Sequence, residues 1–281
     1  MAIARDKFWF FGVRPHQDDK DLGRNMDPAV LNYRSSRITP AEGAFMLNVP
    51  NMIMVNCQGE PIPFTEEAYG YAESFCRMDK VLWCGAFGGL ANTDAGNLYE
   101  AFICDLATKY PNITGAFIDD LFANVRYLPE AERPAAVAAS LKKTRRELDK
   151  ACRPMELWVV WYTYELDADK AAALEEDVDG ITLWTWDYHD LAKLEENYEK
   201  IEKLFPNKKK MLGIYMYDFP NAVPVPNDYM QLQCELGLRL MKEGRLDGLV
   251  FETNSVMGCG LASEKWLRAW IDKVKDTEIP D

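Results

Sequence analysis

Eight short apolar runs, each followed by a polar loop and an amphipathic segment, constrain this chain more than any other feature. They read FWFFGV (8–13), NMIMVNC (51–57), KVLWCGAF (80–87), TGAFIDD (114–120), MELWVVWYTYE (155–165), GITLWTWD (180–187), KMLGIYMYD (210–218) and DGLVFETN (247–254). Their β-branched and aromatic content predicts strands. They are continuous rather than alternating, as expected of strands buried on both faces beneath a layer of helices. Their starts lie 25 to 43 residues apart, which leaves room for a helical crossover each time.

The intervening segments carry helix signals. In TPAEGAFMLN (39–48), Thr39 is placed to cap, Pro40 takes the first helical position, and Glu42 completes a capping box. Apolar residues recur at helical spacing in 64–78, 97–110, 133–153, 190–205, 227–244 and 263–275, with a short helix expected around 168–177. Eight strands alternating with helices predict a single (β/α)8 TIM barrel, one domain over residues 1–281. An open doubly wound sheet would carry a glycine-rich phosphate turn after its first strand, where this chain has RPHQDD. GAFGGL (85–90) lacks the GxGxxG spacing, and no linker or low-complexity tract divides the chain.

Charge and cysteine usage narrow the function classes. The net charge of −13 disfavours nucleic acid and anionic membrane surfaces as partners. Seven scattered cysteines without a CxxC pair read as reduced thiols, neither a disulfide framework nor a zinc site. The opening MAIARDKFWFFGVRPH reads as a first strand rather than a secretory signal. A cytoplasmic location is the expectation, with export after signal removal as the alternative.

In a barrel the active site lies at the C-terminal rim, so the residues that end each run are the candidates. Strand 1 ends in Arg14 and His16, and strand 2 in Asn56. Strand 4 ends in Asp119 and Asp120, strand 5 in Tyr162, Tyr164 and Glu165, and strand 6 in Trp184, Trp186, Asp187 and His189. Strand 7 ends in Tyr215, Tyr217 and Asp218, and strand 8 in Glu252 and Asn254. Five consecutive strands thus stop at a carboxylate. A single strand-end Asp is as readily a helix cap or an Asx turn. Of the Asp119–Asp120 pair, strand alternation sends one side chain into the mouth, and Ala116, Ile118 and Asp120 share a face. Tryptophans on the strands either pack against the helices or present flat faces for sugar rings.

Acids beside aromatics suit a neutral polyhydroxylated ligand. Glycosidic cleavage needs two carboxyl groups flanking the scissile bond, and clustering raises the pKa of one of them. On these residues the whole chain resembles the TIM-barrel glycoside hydrolase superfamily, bacterial barrels sharing FIDD, LWVVWYT and TLWTW in particular. The α-galactosidase-like clan places a nucleophilic Asp after strand 4 and an acid Asp after strand 6, which the resemblance assigns to Asp120 (or Asp119) and Asp187. The α-amylase-like pattern would assign Asp120, Glu165 and Asp218 instead. The expectation is a carbohydrate-active hydrolase with Asp120 as nucleophile or base and Asp187 as general acid. Asp119, Glu165, Asp218 and Glu252 are the supporting or alternative carboxylates. Arg14, His16, Asn56, Tyr162, Tyr215, Trp184 and Trp186 would bind a carbohydrate substrate, and no cofactor is implied. Two readings compete with it. One is a metal-dependent sugar isomerase or epimerase holding its ion with Glu165, Asp187, Asp218 and Glu252. The other is a catalytically idle barrel that binds carbohydrate or a protein partner.

Overall fold

A computed structural model describes residues 2–15, 36–57, 59–85 and 96–280. The eight predicted runs form β1 (Phe8–Gly12), β2 (Asn51–Met54), β3 (Lys80–Cys84), β4 (Ile113–Ile118), β5 (Glu156–Tyr162), β6 (Gly180–Trp184), β7 (Lys209–Tyr215) and β8 (Gly248–Glu252). All pair in parallel with their neighbours, and β8 returns to β1 to close the barrel. Among the described residues the helices between them are α1 (Pro40–Leu47), α2 (Glu66–Ser74), α3 (Gly96–Lys109), α4 (Arg133–Leu148), α5 (Ala168–Ala172), α6 (Leu194–Leu204), α7 (Asn227–Lys242) and α8 (Ala262–Val274). None of the helices described is long and apolar enough to cross a membrane.

Local chemistry explains several boundaries. The Thr39 hydroxyl accepts from the Glu42 amide at 3.3 Å while the Glu42 carboxylate accepts from the Thr39 amide at 2.8 Å. These bonds hold the Glu42 pKa below its ordinary value. The segment 190–205, expected as one helix, divides in two. A 3-10 turn over Tyr188–Lys193 leads into α6, with the Asp187 side chain accepting from the His189 amide at its start.

Alternation along the strands sorts the tryptophans into two sets. Trp83 and Trp161 face outward: Trp83 meets Phe102 of α3 at 5.6 Å, and Trp161 meets Phe205 at 5.3 Å. Trp158 and Trp184 face inward. Each indole donates to a side chain two residues earlier on its own strand, Trp158 to Glu156 and Trp184 to Thr182, both at 2.8 Å. Room for these rings comes from glycine. A Cβ on Gly213 would lie 2.0 Å from the Trp184 ring, and one on Gly180 would lie 2.3 Å from Trp158. The Trp184 ring then meets Phe11 at 5.6 Å and Tyr215 at 5.0 Å, forming an aromatic floor in the upper half of the barrel.

Candidate active site

A cavity of about 390 Å³ opens above that floor at the C-terminal ends of the strands. This is a size typical of small-molecule sites, which run from roughly 300 to 1,000 Å³. Phe11, Val160 and Trp184 form its base. Its upper wall carries Asp119 and Asp120 after β4, Tyr162 at the end of β5, Trp186 after β6, Tyr215, Tyr217 and Phe219 from β7 onward, and Glu252 at the end of β8. Val13, Val55 and Cys57 complete the lining from β1 and β2.

Both members of the Asp119–Asp120 pair line this cavity, not one. The helix-facing register of β4 belongs to Ala116 and Ile118, and Phe117 points inward, 6.1 Å from Phe11. Asp119 therefore follows the inward register. Asp120 should have turned away, but the strand ends at Ile118 and Asp120 takes a left-handed φ of 49°. That twist swings its carboxylate back to the mouth, where Oδ1 accepts from the Tyr162 hydroxyl at 2.8 Å. The Asp120 amide donates to Asp119 Oδ1 at 2.9 Å, and Asn124 closes the turn by bonding both backbone carbonyls.

Two tyrosines carry the electrostatics across the mouth. Burial raises the Tyr215 pKa well above its ordinary value, and the charges of Glu252 and Asp119 raise it further. Tyr162 is raised by burial first, then by Tyr215, Asp119 and Asp120. A hydrogen bond joins the two phenols. Both stay protonated, so the carboxylates face neutral hydroxyl donors. Asp119 and Glu252 act on the same phenol from opposite sides, because β4 and β8 stand four strands apart in the closed barrel of eight.

The remaining candidates have other places. Asp187 lies outside the cavity lining. Its Oδ1 accepts from the His189 amide at 2.9 Å and contacts the imidazole at 2.7 Å. Those bonds hold its pKa below the ordinary value, the opposite of what a proton donor needs. Asp218 is buried, with Oδ2 accepting from the Tyr188 amide at 2.6 Å and Oδ1 from the Asn221 amide at 2.8 Å. It anchors the short ribbon pairing Tyr217–Asp218 with Val223–Pro224, which carries Tyr217 and Phe219 to the mouth. Glu165 sits beside the cavity on a 3-10 turn, its pKa raised by burial and, less, by Asp120. Arg14 pairs with Glu60 and, at 2.6 Å, with Glu67, away from the lining. Asn56 donates to the Cys84 carbonyl at 3.3 Å and lies outside the lining. His16 lies outside the described residues.

The four carboxylates considered as metal ligands do not converge. Asp187 and Asp218 are spent on backbone amides, and among the described residues no group of three His, Cys, Asp or Glu side chains could hold an ion. Sequence reading placed Tyr217 at the end of strand 7 without assigning it to the site, and passed over Phe219 and Cys57 as lining residues. A ribbon after β7 brings the first two to the mouth, and nothing in the strand pattern announces that ribbon. Several buried polar atoms near the C-terminal strand ends have no partner: Asn56 Oδ1, Thr185 Oγ1, Tyr217 Oη and Ser255 Oγ. Of these four only Tyr217 lines the cavity, and orphaned atoms on Arg5, Asn51, Trp83, Ser140 and Trp161 lie elsewhere in the fold.

No protein-family model matches the chain, and no curated protein matches it. Solved structures do resemble it. A GH99 endo-alpha-mannosidase from Bacteriodes thetaiotaomicron aligns with a TM-score of 0.56 at 12% identity, over 96% of this chain and 97% of that one. BpGH50 aligns with a TM-score of 0.53 at 9% identity, over 95% of this chain and 76% of that one. A tryptophan synthase alpha-subunit from Pyrococcus furiosus aligns with a TM-score of 0.50 at 9% identity, over 97% and 99%. At these identities the shared property is the (β/α)8 barrel itself, which hosts unrelated chemistries.

Proposed function

We propose that the protein is a glycoside hydrolase acting at the cavity above Trp184. One observation carries the reading. Asp119 and Asp120 at the end of β4 and Glu252 at the end of β8 line one aromatic-walled cavity from opposite sides. Two carboxyl groups on either side of a bound sugar are what hydrolysis of a glycosidic bond requires. Asp120 is the nucleophile or base, its carboxylate oriented by the Tyr162 hydroxyl. Glu252 replaces Asp187 as general acid and gives its proton to the leaving oxygen as the bond to the anomeric carbon breaks. Water then supplies the hydroxyl to that carbon and returns the proton. Tyr215, its hydroxyl bonded to Tyr162, presents its remaining lone pair to a sugar hydroxyl, and the faces of Trp184 and Trp186 receive the sugar's C–H surface.

The test is sugar release from a panel of aryl glycosides and polysaccharides, with wild type, Asp120→Asn and Glu252→Gln. Each replacement should lower turnover by about 10³-fold, within the range attributed to positioned acids and bases, with the thermal midpoint unchanged. Sugar binding without release by the wild type would make this a carbohydrate-binding barrel. Full turnover in both variants would refute the assignment.

A further inference from the structure

The aromatic wall continues beyond the cavity. Tyr162, whose hydroxyl holds Asp120, is covered on its outer side by Tyr164, the rings 5.2 Å apart and 8° from parallel. Tyr164 is absent from the cavity lining and 63% exposed, so one face rests on Tyr162 and the other is open. The second platform repeats this construction. Trp186 stacks on Phe219 at 6.0 Å and 10°, and is 39% exposed where it lines the cavity. The two stacks meet at right angles, Tyr162 against Trp186 at 6.0 Å and 80°. Two backed rings thus stand one inside the mouth, Trp186, which also meets Tyr215 at 5.8 Å and 81°, and one outside it, Tyr164 with its open face. A large exposed ring is an unfavourable surface to leave in water, and backing it with a second ring fixes its orientation.

The open Tyr164 face has a polar companion. Glu165 is its chain neighbour, and the charges of Glu165 and Asp120 both reach the Tyr164 hydroxyl. With burial as the leading cause, they push its pKa up to about 12. A flat apolar face edged by a carboxylate and a protonated phenol offers what a pyranose needs: a surface for its C–H side and partners for its hydroxyls. The cavity holds one such arrangement already. The outer one is continuous with it through Tyr162.

We infer that Tyr164 forms an outer sugar subsite next to the catalytic cavity, and that the substrate is an oligosaccharide chain rather than a single glycosyl unit. This rests on the hydrolase reading and deepens it. One unit occupies the cavity against Trp186, and a neighbouring unit of the same chain lies on the open face of Tyr164. Tyr164 belongs to a short 3-10 turn at the surface, so its replacement leaves the barrel intact.

The test compares wild type, Tyr164→Ala and Tyr164→Phe on an aryl monoglycoside and on the matching di-, tri- and tetrasaccharides. Turnover is measured together with binding, read from tryptophan fluorescence. Tyr164→Ala should raise KM and Kd for the longer substrates about tenfold more than for the monoglycoside, the scale of one aromatic contact, any loss common to both reporting the backing it gives Tyr162. Tyr164→Phe keeps the ring and should restore most of the affinity. Equal losses on short and long substrates, or none on either, would overturn the outer subsite. If Asp120→Asn hydrolyses as fast as wild type, the hydrolase reading fails first. The length-dependent loss of binding in Tyr164→Ala then decides whether the subsite survives as part of a binding barrel. A wild type that binds no sugar of the series refutes both.

Discussion

The two ends of the barrel handle their polar groups in opposite ways. At the N-terminal end, charged side chains stitch backbone to backbone. Arg153 donates to the carbonyls of Ala107, Tyr110, Pro111 and Ile113, tying the end of α3 and the start of β4 to the segment before β5. Arg145 reaches the Met155 and Asp177 carbonyls, and the Asp179 carboxylate receives the Leu157 amide at 2.8 Å. Lys209 and Glu156 pair beneath Trp158. At the C-terminal end, carboxylates face a cavity, aromatic faces stand open, and four buried polar atoms near the strand ends lack partners. The first end spends most of its polar groups on the fold, Arg5 Nε and Asn51 Oδ1 excepted, and the second, where Asp187 and Asp218 also bond backbone amides, keeps Asp119, Asp120 and Glu252 at a cavity.

The sharpest test of this division is a residue that serves fold and cavity together. Gly213 lies under the Trp184 ring, with space for no Cβ. Gly213→Ala forces the indole to move, and overpacking of this kind costs about 3 kcal/mol at the upper end of its usual range. Because Trp184 is also the cavity floor, turnover should fall together with stability, read by denaturant unfolding and sugar release. A stable, active Gly213→Ala protein would mean that the floor is not fixed by that ring.

Arg153→Ala probes the stitched end alone. Its bonds are charge-assisted and, apart from a contact to Cys152 Sγ, go to carbonyls, so losing them should lower stability by about 2 kcal/mol. It is remote from the cavity, so kcat/KM at a temperature well below unfolding should match wild type. A loss of catalysis without a loss of stability would break the comparison.

Much of the barrel was legible because its signal is additive. Each of eight runs is apolar and followed by helical spacing, and each became a strand. The site was legible only as a set of strand ends. Asp120, Asp187 and Asp218 look alike in sequence, each a carboxylate where an apolar run stops. Their fates depend on how the chain turns next. Asp120 enters the cavity because its φ is 49°, whereas Asp187 and Asp218 meet the amides of His189, Tyr188 and Asn221. The same limit applies to the indoles. Trp83 and Trp161 against the helices, and Trp158 and Trp184 inside, differ only by strand register.

Asp187→Ala tests the reassigned acid. The side chain starts the 3-10 turn before α6, and removing a cap of this type costs about 1 kcal/mol. Its folded pKa is depressed, so its contribution is present above the ordinary carboxylate range and disappears as pH falls through the depressed value. Turnover should be retained. A folded but inactive Asp187→Ala protein would return the proton donor to β6 and remove Glu252 from that role.

The smallest effect expected is at Glu165, beside the outer subsite. Burial raises its pKa above the ordinary value of 4.5, against the opposing pull of Lys170. The folded state therefore holds this proton to higher pH than the unfolded chain does, and where the folded state binds more protons, stability falls as pH rises. The wild type should match Glu165→Gln on the acid side of 4.5, lose stability relative to it above that point, and level off once the folded carboxyl has ionised. Denaturant unfolding of both proteins across that range measures the difference directly. A gain of wild-type stability with pH would show that Lys170 and Arg133 outweigh burial, and that Glu165 belongs with the stitched groups rather than with those held for a ligand.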